Sequence, residues 1–171
     1  MNAVFHVSLG LASSLLFAGG IRRADDKNGL FEKQDTGILT AGFSANILLH
    51  GLLDVAPHTY PIVSVYDLMI ASFLIFAAVF FTRMSFKGIV FVCALGAVFP
   101  DLVDLGPALL NQFTGTSLPE FKFFPWHWAS FQKYKSFDPG WSLVCHTALF
   151  MVIAGVMLLR RGFVKGRRFF N

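Results

Sequence analysis

The segment "ILLHGLLDVAPH", residues 47–58, is a greasy run that nevertheless carries His50, Asp54 and His58 at steps of four. On a helix, residues four apart share one face, so an imidazole and a carboxylate point the same way. A second stretch, "VFPDLVDLGP", sets Asp101 and Asp104 one turn apart, and a third, "LVCHTALF", sets His146 in apolar surroundings. Buried carboxylates are costly in hydrocarbon and require a partner. No Lys or Arg lies in any apolar stretch of this chain to serve as one. Protonation, His–Asp pairing and a metal cation remain. Histidine nitrogen with aspartate oxygen is a natural donor set for Zn²⁺, Mn²⁺ or Fe, and the number of converging acids and histidines favours the cation.

The residues around these groups identify the solvent. Of 171 residues, 55% are hydrophobic and only 14% charged, with a mean hydropathy of +0.62. Ordinary soluble domains carry about 45–50% apolar and about 25% charged residues. The composition is that of an integral membrane protein, and the expected fold is all-α: a single polytopic helix bundle. Five apolar stretches, 3–20, 37–55, 63–82, 88–106 and 141–159, are separated by segments that hold all fourteen Lys and Arg, and each is close to the roughly 20 residues needed to cross a bilayer. The first has no basic residue before it and no small-residue cleavage site after it, so it is read as a helix rather than a signal peptide.

Basic residues set the orientation. Arg22, Arg23, Lys27 and Lys33 follow the first stretch, Arg83 and Lys87 join the third to the fourth, and Arg160, Arg161, Lys165, Arg167 and Arg168 form the tail 160–171. Five spans place these segments together on the cytoplasmic side with the N-terminus outside and the C-terminus inside. Lys122, Lys133 and Lys135 on the outer loop 107–140 oppose this orientation but do not outweigh it.

On that topology the ionisable groups fall into one layer near the outer surface: His6, His50, Asp54, His58, Asp67, Asp101, Asp104, His127 and His146. His50, Asp54, Asp101 and His146 are the expected metal ligands. Asp104 is read as a further ligand or general base, and His127 or His58 as the group that protonates a leaving group. Pro57 ends its helix, so His58 either returns over the site or faces water. Pro100 is expected to open the fourth helix just before Asp101. His6 is read as a helix-packing hydrogen bonder, and no role is assigned to Asp67.

His-x-x-x-Asp, a Pro-Asp-x-x-Asp at a helix end, an N-terminal His and a late His-Thr together resemble the small bacterial inner-membrane proteins labelled membrane-bound metal-dependent hydrolases. That family commonly shows Pro-Asp-x-Asp-His and Thr-His-Ser, with His-x-x-x-Asp last. Here the second acid stands one residue further on, Cys145 precedes His146, and His50–Asp54 comes before Pro100–Asp101. The resemblance implies a location in the bacterial inner membrane and a metal-activated water attacking a phosphoester or similar bond. There is no P-loop, Gly-x-Ser-x-Gly or dinucleotide-binding glycine pattern to suggest other chemistry.

The loop "LPEFKFFPWHWASFQKYKSFDPGW" mixes aromatics with lysines, a composition suited to the membrane interface; it either lies on the bilayer or forms a lid over the site. The basic tail is an anchor for anionic lipid rather than a nucleic-acid contact. Membrane lipids are therefore the expected partners. Cys93 and Cys145 are read as small apolar fillers, not a disulfide. The rival reading is a non-catalytic accessory subunit of a larger membrane complex: twenty-one Phe residues give much aromatic surface, and His50 and His146 stand at depths that suit a pigment or haem. The carboxylates argue against an apolar macrocycle.

Overall fold

The computed structural model describes residues 3–20, 33–56, 64–129 and 139–166. These are helical throughout apart from connections: α1 (Ala3–Ala18), α2 (Lys33–Val55), α3 (Ser64–Phe81), α4 (Met84–Asp104), a short α5 (Gly106–Thr114), a 3₁₀ turn (Pro125–His127) and α6 (Pro139–Gly166). The expected all-α bundle is what forms, with no strand among the described residues.

Three segments are long and apolar enough to cross a membrane: Thr36–Val55, Met84–Asp104 and Gly140–Gly162. The other two apolar helices, Ala3–Ala18 and Val65–Phe81, are shorter than the five-span expectation assumed. At 1.5 Å per residue they reach only about 24–26 Å, against a hydrocarbon core of about 30 Å. Three further details differ from the sequence reading. The outer loop contains a helix, α5, which ends on Gly115 at φ +67°. The tail continues α6 as far as Gly166. Pro100 lies inside an unbroken α4: it removes one backbone donor, yet the residue its ring faces, four positions back, is Gly96, where there is no side chain to compound the crowding.

α1, α2 and α4 form the heart of the bundle. Small residues let their backbones approach, as in membrane helix pairs generally. A Cβ at Gly96 would stand 2.5 Å from the Phe43 carbonyl oxygen, and one at Gly10 would stand 2.7 Å from the Ala97 methyl. Between the three helices Ser13 Oγ donates to Asn46 Oδ1 at 3.0 Å and Asn46 Nδ2 to the Gly42 carbonyl at 2.8 Å, polar glue that needs no charge. Cys93 is buried beside this cluster and both cysteines are free, as filler residues would be.

α3 sets the entry of α1. Asp67, fully buried, accepts hydrogen bonds from the Ala3 and Val4 backbone nitrogens at 2.6 and 3.2 Å. The first N–H groups of a helix have no partner within it and carry partial positive charge, so a carboxylate from a neighbouring helix satisfies both needs. That contact fixes the start of α1, and with it His6 one turn further on.

Candidate metal centre

The N-terminal end of α1 and the C-terminal ends of α2 and α4 meet at one level, and the chain after α5 folds back over them. Among the described residues, six ionisable side chains gather there: His6 from α1, His50 and Asp54 from α2, Asp101 and Asp104 from α4, and His127 from the 3₁₀ turn. Their exposures lie between 1% and 8%, too little for water to solvate the charges.

Four atoms form the centre of the group. His127 Nε2 lies 3.0 Å from Asp54 Oδ2 and 3.2 Å from Asp101 Oδ1. His50 Nε2 lies 3.5 Å from Asp54 Oδ2, 3.7 Å from Asp101 Oδ1 and 3.5 Å from His127 Nε2. A tetrahedral ion with ligands at 2.0–2.1 Å has ligand–ligand edges of about 3.3–3.4 Å. The five distances bracket that value.

The remaining ring nitrogens show why a cation suits the centre. His50 Nδ1 lies 2.6 Å from the Ala97 carbonyl oxygen. A carbonyl only accepts, so Nδ1 carries the proton and, on a neutral ring, Nε2 turns a lone pair toward two carboxylate oxygens. His127 Nδ1 donates to Asp104 Oδ2 at 2.8 Å, the carboxylate–histidine arrangement that orients metal-binding imidazoles. Asp104 is itself held: it accepts from the Phe123 and Phe124 backbone nitrogens at 2.8 and 2.9 Å, while Lys122 Nζ donates to its carbonyl at 2.9 Å. With both carboxylate oxygens so engaged, Asp104 is placed to position His127 rather than to ligate or act as a base. Asp104→Asn is expected to weaken zinc affinity about 10–100-fold while leaving the fold intact, as read by competition with a chromogenic chelator.

His127 also responds to its surroundings electrostatically. Burial alone would lower its pKa, but hydrogen bonds to Asp101, Asp54 and Asp104 outweigh burial and push it up to about 10. Without metal, an imidazolium there supplies the positive charge between the acids. Because the folded-state value lies above the unfolded value of about 6.5, this contribution is complete below about pH 6.5 and is lost as pH rises through 10. Chelator-treated protein should accordingly lose thermal stability between pH 6.5 and 10, and a His127→Gln variant should show a flatter profile.

The loop that brings His127 is seated by aromatic packing. The Trp126 ring covers Gly51, where an added Cβ would come within 2.7 Å of it, and stacks on Phe124 with centroids 5.1 Å apart. Trp128 Nε1 closes the turn by donating to the Lys122 carbonyl at 2.8 Å.

Of the four ligands expected from sequence, His50, Asp54 and Asp101 converge. His146 does not join them. It sits on α6, which packs on α1 rather than on α2 or α4, with Nδ1 2.7 Å from the Ser142 carbonyl and its ring 4.8 Å from that of Phe5. Common depth suggested a ligand, but the helix face turns it elsewhere. His127, expected as an acid for the leaving group, takes the fourth position. His58 lies outside the described residues, as do Lys133 and Lys135.

His6, which the sequence suggests as a helix-packing hydrogen bonder, faces the centre. Its ring stacks on His50 at 3.9 Å with an interplanar angle of 19°, and its Nε2 lies 3.4 Å from Asp54 Oδ1. The available signals are its depth, shared with the other histidines, and its place near the N-terminus; α1 offers no second donor at helical spacing to draw attention to it.

Two overlapping groups, His6 with His50 and Asp54, and His50 with Asp101 and His127, have the geometry to hold a metal ion. In comparisons with known proteins, no family model, no curated protein and no solved structure matches this chain.

Proposed function

We propose that this chain is a membrane-embedded, divalent-metal-dependent hydrolase acting on a phosphoester, lipid or lipid-like, at the outer membrane–water interface of a bacterial inner membrane. The observation that carries the reading is the convergence of His50 Nε2, His127 Nε2, Asp54 Oδ2 and Asp101 Oδ1 with the Nδ1–H of each histidine already engaged. Zinc suits this set best, with manganese or iron as alternatives. A bound metal would lower the pKa of a water toward neutrality and polarise the phosphoryl oxygen.

The residues around the four donors have separate tasks. Asp104 and Ala97 orient the two imidazoles. His6, against the far oxygen of Asp54, is positioned to accept a proton from an attacking water and to return one to the leaving group. Trp126 and Phe124 keep bulk water off the centre. The lysine and tryptophans of the outer loop suit an anionic headgroup at the interface.

For topology we retain five spans with the N-terminus outside. α1 and α3, though short, are accommodated by local thinning of the bilayer or by anchoring residues at their ends, at modest cost per ångström. A reporter active only in the periplasm and fused after Asn171 should stay silent; a signal from it would invert the orientation.

The experiment that tests the function is elemental analysis of detergent-purified protein, joined to hydrolysis of a chromogenic phosphoester before and after chelation. About one equivalent of metal, with activity lost on chelation and restored by zinc, is expected. Protein that neither retains nor takes up zinc, manganese or iron would remove the reading.

One feature of the geometry favours a second reading. Four protein donors taken up by one ion would leave no position open, as in structural zinc sites, whereas catalytic sites keep one. On that reading the metal staples the outer loop to α2 and α4 in a non-catalytic subunit of a larger membrane complex. Stoichiometric metal without any hydrolytic activity would be its signature.

A further inference from the structure

α1 presents its other face to a cleft. At about 100° per residue, Ser8, Leu11, Ala12 and Leu15 lie roughly 140–240° around the helix from His6. They floor a cavity of about 420 Å³ between α3 and α6, with Leu74 and Ala78 on one wall and Ile153 and Met157 on the other. α3 and α6 both pack on α1 but scarcely on each other, and the cleft is the space between them.

The lining states what belongs there. Its hydroxyls are turned back on their own helices: Ser8 Oγ to the Val4 carbonyl at 2.7 Å, Ser14 Oγ to Leu11 at 2.6 Å and Thr82 Oγ1 to Ala78 at 2.6 Å. Among the described residues, no Asp, Glu, Lys, Arg or His lines the cleft. Such a lining suits hydrocarbon. At about 30 Å³ per methylene-sized group, by analogy with water, the cleft holds about fourteen carbons, one acyl chain.

The end of the cleft lined by Leu15, Thr82 and Met157 borders positive charge. Thr82 on the wall is followed directly by Arg83 and then Lys87, and Met157 by Arg160, whose Nη2 donates to the Leu16 carbonyl at 3.0 Å at the end of α1. Basic residues at a membrane surface attract anionic lipid.

We infer that this cleft seats one acyl chain of an anionic bilayer phospholipid, its headgroup at the Arg83–Arg160 end and its chain running along α1 toward Ser8. The chain supplies the packing that α3 and α6 do not give each other. Because it lies on the opposite face of α1 from His6, the site is independent of the metal centre and of the proposed hydrolysis.

Native mass spectrometry of protein in mild detergent, titrated with phosphatidylglycerol and phosphatidylcholine of equal sixteen-carbon chains, tests this. The wild type should retain one phosphatidylglycerol saturably and bind phosphatidylcholine at least about tenfold more weakly. Ala78→Phe, which fills the cleft, should lose that adduct while keeping its metal, and Ala12→Leu serves the same purpose should Ala78→Phe fail to fold. Arg83→Gln combined with Lys87→Gln should erase the preference between headgroups. Absence of a saturable single adduct on the wild type, retention in the filled variants, or equal binding of the two lipids would overturn the proposal.

Discussion

Asp54→Ala is expected to leave the purified protein without stoichiometric metal and less stable by about 3–5 kcal/mol, the usual cost of removing one partner from a buried charged pair. Asp54 is the acid that touches most of the centre: Oδ2 faces His127 and His50, and Oδ1 faces His6. Removing it takes away one donor and leaves three imidazoles sharing Asp101 and Asp104 in a site almost closed to water. Both readouts should move together, metal content by mass spectrometry and unfolding by denaturant. Asp54→Asn, which keeps the volume and can still accept one hydrogen bond, should lose the metal but less of the stability. Full metal occupancy in Asp54→Ala would show that the ion lies elsewhere.

His6→Gln should lower hydrolysis by about 10²–10⁴-fold, the range for loss of a positioned proton-transfer group, while metal content stays near one equivalent. A four-donor staple has no use for a further buried imidazole. Glutamine preserves a polar contact to Asp54 Oδ1 without the ability to take up a proton near neutral pH. The separation of activity from metal content distinguishes the catalytic from the stapling reading. Unchanged activity with retained metal would return His6 to the role of a packing residue stacked on His50, and a parallel fall in metal and activity would make it a ligand.

Much of this molecule is legible without coordinates. Apolar stretches separated by every Lys and Arg determine helices and a membrane setting, because hydrocarbon leaves the backbone no alternative to internal hydrogen bonding. Spacing determines local faces: His50 with Asp54, and Asp101 with Asp104, are pairs that any helix would align. Depth follows from counting residues between charged boundaries, and it brought all the relevant groups to one layer.

Which member of that layer turns inward was decided only by the packing of one helix on another. His146 and His6 occupy comparable depths, yet α6 packs chiefly on α1 while α1 inserts against α2 and α4, so His6 reaches Asp54 and His146 faces Phe5. His127 entered the centre through long-range contacts with no periodic signature: Asp104 gripping the Phe123 and Phe124 nitrogens, and Trp126 seated on Gly51. The sequence suggests Asp104 as a ligand or general base but not as a positioning group, since its partners lie nineteen to twenty-three residues away in an irregular segment. Asp67 capping α1 from another helix belongs to the same class. Local periodicity is written in the order of residues, but the angle at which two helices meet depends on every side chain between them, and that sum is evaluated only in the folded chain.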